Sequence, residues 1–183
     1  MRIISGEFRN REIKMPKSRD VRPTSQKVRK AIFDVLAGDI AGKRILDLFS
    51  GSGALGFEAL SLGADHITFV EKKQISIKTI YENAALLGVK EKCRIIRRDV
   101  LESLDKLNTR KAGFDLVFAD PPYIGGLAKK CLLKISSCDI LLAPAIVVIE
   151  HCKKDELPTE NNNLKLWQLK NYGDTLVSFY TYS

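Results

Sequence analysis

The 183-residue chain has little of what a metal protein, a disulfide-stapled domain or a membrane protein requires. Its four cysteines (Cys93, Cys131, Cys138 and Cys152) form no C-x-x-C pair, and its two histidines (His66 and His151) stand apart, so zinc-ligand spacing is missing. The cysteines are expected to be buried thiols in a reducing compartment, and no metal is expected. No apolar run approaches the roughly 18 residues of a membrane span. The opening MRIISGEFRNR also lacks the apolar core of a secretory signal. A cytoplasmic protein with no membrane partner, acting as a monomer, is expected. The chain shows no internal repeat, linker or low-complexity run, and polar Glu160-Asn161-Asn162-Asn163 is expected to be a surface loop. With 45% hydrophobic and 28% charged residues, the composition fits one domain with a full core.

Net charge, too, is scarce over most of the chain. Residues 1–30 hold ten of the 30 Lys+Arg and three of the 22 Asp+Glu, so +7 of the total +8 lies in that first stretch. A basic N-terminal extension (1–38) therefore precedes a nearly neutral core (39–183). Such asymmetry suits a polyanion, above all nucleic acid, because cations on phosphate release counterions; a solvated, solubilising segment is the other reading. Arg9, Arg11, Arg22, Lys27 and Arg29 are the candidate phosphate contacts.

In the extension, Ile3, Phe8, Ile13 and Met15 alternate loosely with polar residues, and Arg9-Asn10-Arg11 is suited to turn a small hairpin. After Pro23, Thr24 or Ser25 can cap a helix whose apolar residues Val28, Ala31, Ile32, Val35 and Leu36 recur at helical spacing, with Lys27, Arg29 and Lys30 on the other face. From Lys43 onward, short apolar runs alternate with helical patterns, the mark of a parallel sheet with crossover helices. Strands are predicted at 44–49, 66–71, 94–98, 114–119 and 145–150, and helices near 53–62, 73–87, 100–107 and 125–136. Two closing strands, 164–170 and 175–182, surround Gly173-Asp174 with no helix between them, so they must run antiparallel.

The first predicted strand ends in LDLFSGSGALGFEAL, where Gly51-Ser52-Gly53-Ala54-Leu55-Gly56 fits G-x-G-x-x-G between a strand and a helix. That turn lets backbone approach a ligand at the carboxyl edge of the sheet. Glu71, 20 residues after Gly51 and at the end of the second strand, can reach the hydroxyls of a ribose. NAD uses the same arrangement. Here, however, Asp47 lies close to the turn; a pyrophosphate would be repelled by it, whereas the sulfonium and amino-acid tail of S-adenosylmethionine would tolerate or use it. Asp99, ending the third strand, suits an adenine amino group or, equally, a helix N-cap. Phe49, Ser52, Lys72 and Val100 complete the expected cofactor-binding set with Asp47, Gly51, Gly53, Glu71 and Asp99.

The fourth predicted strand runs into Asp120-Pro121-Pro122-Tyr123. The prolines fix φ and remove two backbone donors, leaving carbonyls that only accept. Tyr123 offers a face on which a base can stack, a contact worth about 1–3 kcal/mol. Acceptors beside a flat ring make a slot for a planar group with an exocyclic amine. A carboxylate suits guanine, whose N1–H and N2–H2 are neighbouring donors, although an acid in this motif also serves adenine. These four residues are the candidate catalytic set.

Taken together, RIISGEFRNREIKMP, RPTSQKVRKAIFDVL, LDLFSGSGALGFEALSLGA, FVEKK, FADPPY and YGDT resemble, in order and over nearly the whole chain, the RsmD-type family of small-subunit ribosomal RNA guanine-N2 methyltransferases. Its glycine turn and FADPPY are shared by many amino-methyltransferases, whereas RPTS is more specific to the family. One departure is Leu62, where the family often carries Arg. The resemblance implies an α/β, Rossmann-like class I methyltransferase fold: a seven-stranded, mostly parallel sheet with its last strand antiparallel, and an N-terminal extension that engages RNA. It also implies that Asp47, Gly51 and Gly53 hold the methionine part of S-adenosylmethionine, Glu71 the ribose, Asp99 the adenine, and Asp120 to Tyr123 the target base. The expected partner is ribosomal RNA, within a small-subunit assembly particle or free of it. The alternatives are an adenine-N6 methyltransferase of DNA or RNA, a non-catalytic RNA-binding module, and a nicotinamide-dependent oxidoreductase, which would give Asp120 to Tyr123 no role.

Overall fold

The computed structural model describes residues 1–16 and 25–183. Five helices, α1 (Gln26–Val35), α2 (Ala54–Ser61), α3 (Gln74–Leu87), α4 (Val100–Thr109) and α5 (Leu127–Ser136), accompany eight strands among these residues. The strands are β1 (Arg44–Leu48), β2 (His66–Glu71), β3 (Cys93–Arg97), β4 (Phe114–Ala119), β5 (Leu141–Cys152), β6 (Glu160–Asn161), β7 (Leu164–Tyr172) and β8 (Thr175–Tyr182). They form one sheet in the order β3-β2-β1-β4-β5-β8-β7-β6. The first five are parallel, and β8, β7 and β6 continue the sheet antiparallel. The expected α/β class holds, with eight strands rather than seven.

The additional strand is β6, placed where a loop was expected. Asn162 adopts a left-handed φ of 51°, a conformation asparagine tolerates. With Asn163 it closes a two-residue turn, so Asn161 pairs with Leu164 and Glu160 with Lys165, the latter also an ion pair of 3.5 Å.

Strands β1, β2 and β4 are buried on both faces, as their apolar runs require. One face packs on α1, α2 and α3 through residues such as Ile32, Phe57 and Ile80. The other packs on α4 and α5 through Leu104, Leu107, Leu132 and Ile135. Gly88, left-handed at φ 75°, stops α3. Ser25 caps α1, accepting from the Val28 N–H at 3.2 Å. Thr24, the other candidate cap, lies outside the described residues, as does Arg22.

The N-terminal extension is built into the core rather than laid on it. All eight residues of α2 are buried, which a helix needs cover on every side to achieve. Residues 1–15 supply that cover, with Ile3, Phe8 and Ile13 joining the α2 side of the core. A single antiparallel bridge, Arg2 to Glu12, closes the expected hairpin, and Asn10 turns it at φ 67°. Glu58 of α2 accepts from the backbone N–H groups of Ile4 (3.0 Å) and Ser5 (2.7 Å), and Ser61 Oγ accepts from Phe8 N at 2.9 Å. Gly6 crosses so close that a Cβ there would lie 1.9 Å from the Ser61 carbonyl oxygen.

One of the expected phosphate contacts, Arg29, is thereby used inside the fold, and another, Arg11, is bonded to it while its side chain stays exposed. Arg29 is fully buried: its guanidinium lies 3.7 Å from Glu58 and donates to the Arg2 carbonyl at 2.8 Å and to Met1 Sδ at 2.6 Å. It therefore does not sit on the exposed face of α1. On the helix, Arg29 shares a stripe with Ile32 and Phe33, at i+3 and i+4, which are buried with it. Arg11 donates to the Leu86 and Leu87 carbonyls at the carboxyl end of α3. Arg9 and Lys27 are exposed.

Candidate active site

In this sheet the chain leaves β1 toward β2 and β3, then returns to the far side of β1 with β4. The carboxyl edge between β1 and β4 is therefore the topological switch point, where open α/β sheets bind ligands. A cavity of about 430 Å³ opens there, within the size range of small-molecule sites.

The turn after β1 is what makes room for it. Phe49 takes a left-handed φ of 58°, followed by Gly51 at 54° and Gly53 at 79°. For a bulky side chain such as Phe49 this conformation is an outlier held by its surroundings, of the kind that gathers at functional sites. Ser50, which the sequence reading passed over, supplies much of that hold. Its Oγ donates to the Asp47 carbonyl at 2.6 Å and accepts from Val70 N at 3.1 Å, stapling the turn to β2. The third glycine of the motif, Gly56, lets α2 lie against β2, since a Cβ there would come within 2.3 Å of the Phe69 ring.

Each parallel strand brings one carboxyl group to this cavity: Asp47 from β1, Glu71 from β2, Asp99 after β3, Asp120 after β4 and Glu150 from β5. Glu71 accepts from Gly51 N at 2.9 Å and from the N–H groups of Lys72 and Lys73, both at 2.8 Å. Asp99 is both a helix cap and a cavity residue. It accepts from Leu101 N at 3.0 Å, and its other oxygen meets Lys72 Nζ at 3.1 Å. The Asp120 N–H reaches back to the Leu48 carbonyl at 3.5 Å, holding the corner beside β1. Asp47 is buried, its Oδ2 accepting from Gly56 N at 3.1 Å. Burial pushes its carboxyl up to about 8, and the nearby charges of Asp120 and Glu71 push the same way, while the Gly56 hydrogen bond opposes them.

Of the residues singled out from sequence, Asp47, Phe49, Gly51, Ser52, Glu71, Lys72, Asp99, Val100, Asp120, Pro121, Pro122 and Tyr123 all line this one cavity. Gly53 caps α2 behind it, close against Phe57 and Phe69. Arg9, Arg11, Lys27 and Arg29 are not among the lining residues. The lining also includes Met1 and Met15 from the N-terminal extension, and Arg98 and Glu150. Glu150 had a signal of its own: AIVVIE ends an apolar strand in an acid, as HITFVE and FDLVFAD do.

The Tyr123 ring is half-buried, and its hydroxyl lies 3.2 Å from Glu150 Oε1 and 2.9 Å from Thr175 Oγ1. Burial raises this phenol to about 12, and the charges of Glu150 and Asp120 add to the effect, so it stays protonated at neutral pH. The acidic lining provides a test of ligand fit. A cavity in which carboxylates already oppose the ionisation of Asp47 favours a cation and disfavours a pyrophosphate.

Comparison with known proteins adds a lineage to this geometry. The conserved hypothetical protein 95 family matches residues 1–181. YlbH of Bacillus subtilis is 36% identical over 180 residues, which cover 98% of each chain. The Escherichia coli protein named ribosomal RNA small subunit methyltransferase D is 32% identical over 180 residues, covering 98% of this chain and 89% of the relative. A solved structure of a Thermus thermophilus protein superposes with a TM-score of 0.83 at 29% identity, covering 98% of each chain.

Proposed function

Since the chain belongs to the conserved hypothetical protein 95 family, alongside ribosomal RNA small subunit methyltransferase D, we propose that it methylates small-subunit ribosomal RNA. The methyl donor is S-adenosylmethionine, and the acceptor is the exocyclic N2 of a guanine. The observation that carries this reading is the convergence of the glycine turn and the acid-proline-proline-tyrosine corner on one acid-lined cavity. S-adenosylmethionine, when bound, supplies a methyl group activated by a positively charged sulfur.

The residues divide the work by position. Glu71 takes the ribose hydroxyls and Asp99 the adenine amine, while Asp47, Gly51 and Ser52 hold the amino-acid end. Asp120 accepts from the guanine N1–H and N2–H2 donors, which lie side by side; adenine would set its N1 acceptor against this carboxylate. Holding the amine there turns its lone pair from the ring toward the methyl group. With the donor bound, the methyl group would pass from sulfur to nitrogen, its carbon–sulfur bond breaking as the carbon–nitrogen bond formed, and Asp120 or water would take the proton left on nitrogen. Positioning alone can lower such a barrier by about 7–11 kcal/mol. The base must leave its stack to enter the slot, and Arg9 and Lys27 remain exposed to meet RNA phosphates. The setting we infer is the cytoplasm; among the described residues no helix is long and apolar enough to cross a membrane.

Replacing Asp120 tests the assignment. Asp120→Ala should abolish transfer to RNA while leaving calorimetric binding of S-adenosylmethionine within a few-fold of wild type. Undiminished turnover in that variant would refute the role.

A further inference from the structure

We propose that Glu150 and Thr175 are positioning residues that clamp Tyr123 into a preset wall for the target base, an inference that rests on the methyl-transfer reading above. The Tyr123 hydroxyl lies between Glu150 Oε1 at 3.2 Å and Thr175 Oγ1 at 2.9 Å. A phenol carries one proton, so the donors order themselves: Tyr123 donates to the Glu150 carboxylate, and the Thr175 hydroxyl donates to the phenol oxygen. Both partners are more than nine-tenths buried, at 8% and 6% exposure. Both also belong to the sheet. Glu150 pairs with Val177 across the β5–β8 ladder, and Thr175, two residues earlier on β8, pairs with Cys152.

The ring is thereby fixed at both ends. Pro121 and Pro122 limit the backbone that leads into Tyr123, and the two hydrogen bonds hold the far end of the ring against the sheet. A stacking face that is already ordered does not have to be ordered when a base arrives. The high phenol pKa keeps the donor pattern intact across the working pH range. The clamp also stands at a boundary. Glu150 lines the methyl-donor cavity with Tyr123, and Glu150 and Thr175 together line a second crevice beside Lys27 and Tyr172. This gives a task to the acid near the carboxyl end of β5 and to the threonine after the Gly173-Asp174 turn, neither of which the reaction otherwise employs.

The experiment compares Tyr123→Phe, Thr175→Val and the double variant in tritiated methyl transfer to small-subunit rRNA lacking the modification, with S-adenosylmethionine affinity measured in parallel. Thr175→Val keeps the shape and removes only the hydroxyl. Losing one neutral hydrogen bond corresponds to about a three- to tenfold fall in kcat/KM for RNA. Thr175→Val should show that fall with donor affinity unchanged. Tyr123→Phe, which also removes the bond to the Glu150 carboxylate, should fall at least as far, and the double variant should be no worse than Tyr123→Phe, because both act through one hydroxyl. Glu150→Gln, which keeps an acceptor, should be milder than Glu150→Ala. In wild-type protein with labelled tyrosine, NMR should show a slowly exchanging Tyr123 hydroxyl proton that is lost in Thr175→Val. Full activity in Thr175→Val, or losses that multiply in the double variant, would overturn the clamp alone. Absence of transfer by the wild-type protein, with the slow hydroxyl proton present, would overturn the methyl-transfer reading and the base-wall role together.

Discussion

Asp47 shows how much one side chain decides here. It lies in the first buried strand, four residues before Gly51, with its carboxyl sealed against α2 by the Gly56 N–H. Burial and the charges of Asp120 and Glu71 lift it to about 8, against 3.8 for the ordinary group. A cation placed in the cavity favours the ionised form, so donor binding below about pH 8 must expel a proton from Asp47. The sign follows directly. S-adenosylmethionine affinity rises with pH, by up to about tenfold per unit, and levels off above pH 8. Calorimetry near pH 7 in buffers of different ionisation enthalpy should register proton release, and Asp47→Asn should remove it. Proton uptake, or a flat pH dependence in wild type, would show that the bound ligand does not present a cation to this group.

At the scale of elements, the N-terminal extension and α2 form one unit, joined by the buried Arg29–Glu58 pair and by the backbone donors of Ile4 and Ser5. Burial raises the Glu58 carboxyl, opposed by those two N–H groups and by Arg29. Removing one partner of a buried pair strands the other, at a cost of about 3–5 kcal/mol, whereas replacing both with apolar groups of similar size costs far less. Arg29→Met should therefore lower the urea midpoint strongly, and adding Glu58→Gln, which removes the stranded charge but keeps an acceptor for the Ile4 and Ser5 N–H groups, should recover part of the loss. Equal stability of Arg29→Met and wild type would contradict the packing. The sequence made much of this architecture legible, because parallel strands buried on both faces read as apolar runs and each carries an acid at or beside its carboxyl end. Arg29 was not legible in the same way. Beside Lys27 and Lys30 it reads as one more cation, and only the docking of residues 1–15 on α2 makes its helical stripe the inner one. The β6 turn depends on a single left-handed asparagine, and Met1 and Met15 reach the cavity only through that long-range docking.

For the molecule as a whole, function depends on distant segments meeting at one edge of one sheet. The switch point sets the glycine turn after β1 beside the acid-proline-proline-tyrosine corner after β4, and β2 and β3 bring the acids that flank them. The ends of the chain close the same site: Met1 lines the cavity, and β8, through Thr175, holds the tyrosine in place. Among the described residues of the first 30, several cations already have partners within the protein. Arg2, Lys14 and Lys30 face acids, Arg11 caps α3, and Arg29 is buried. The most direct measurement is mass mapping of small-subunit rRNA from cells lacking the protein, complemented with either wild type or Asp120→Ala. Methylation at guanine N2 predicts one N2-methylguanosine that is missing without the protein, restored by wild type and not by Asp120→Ala. An unchanged set of methylated nucleosides, or a lost N6-methyladenosine in its place, would contradict it.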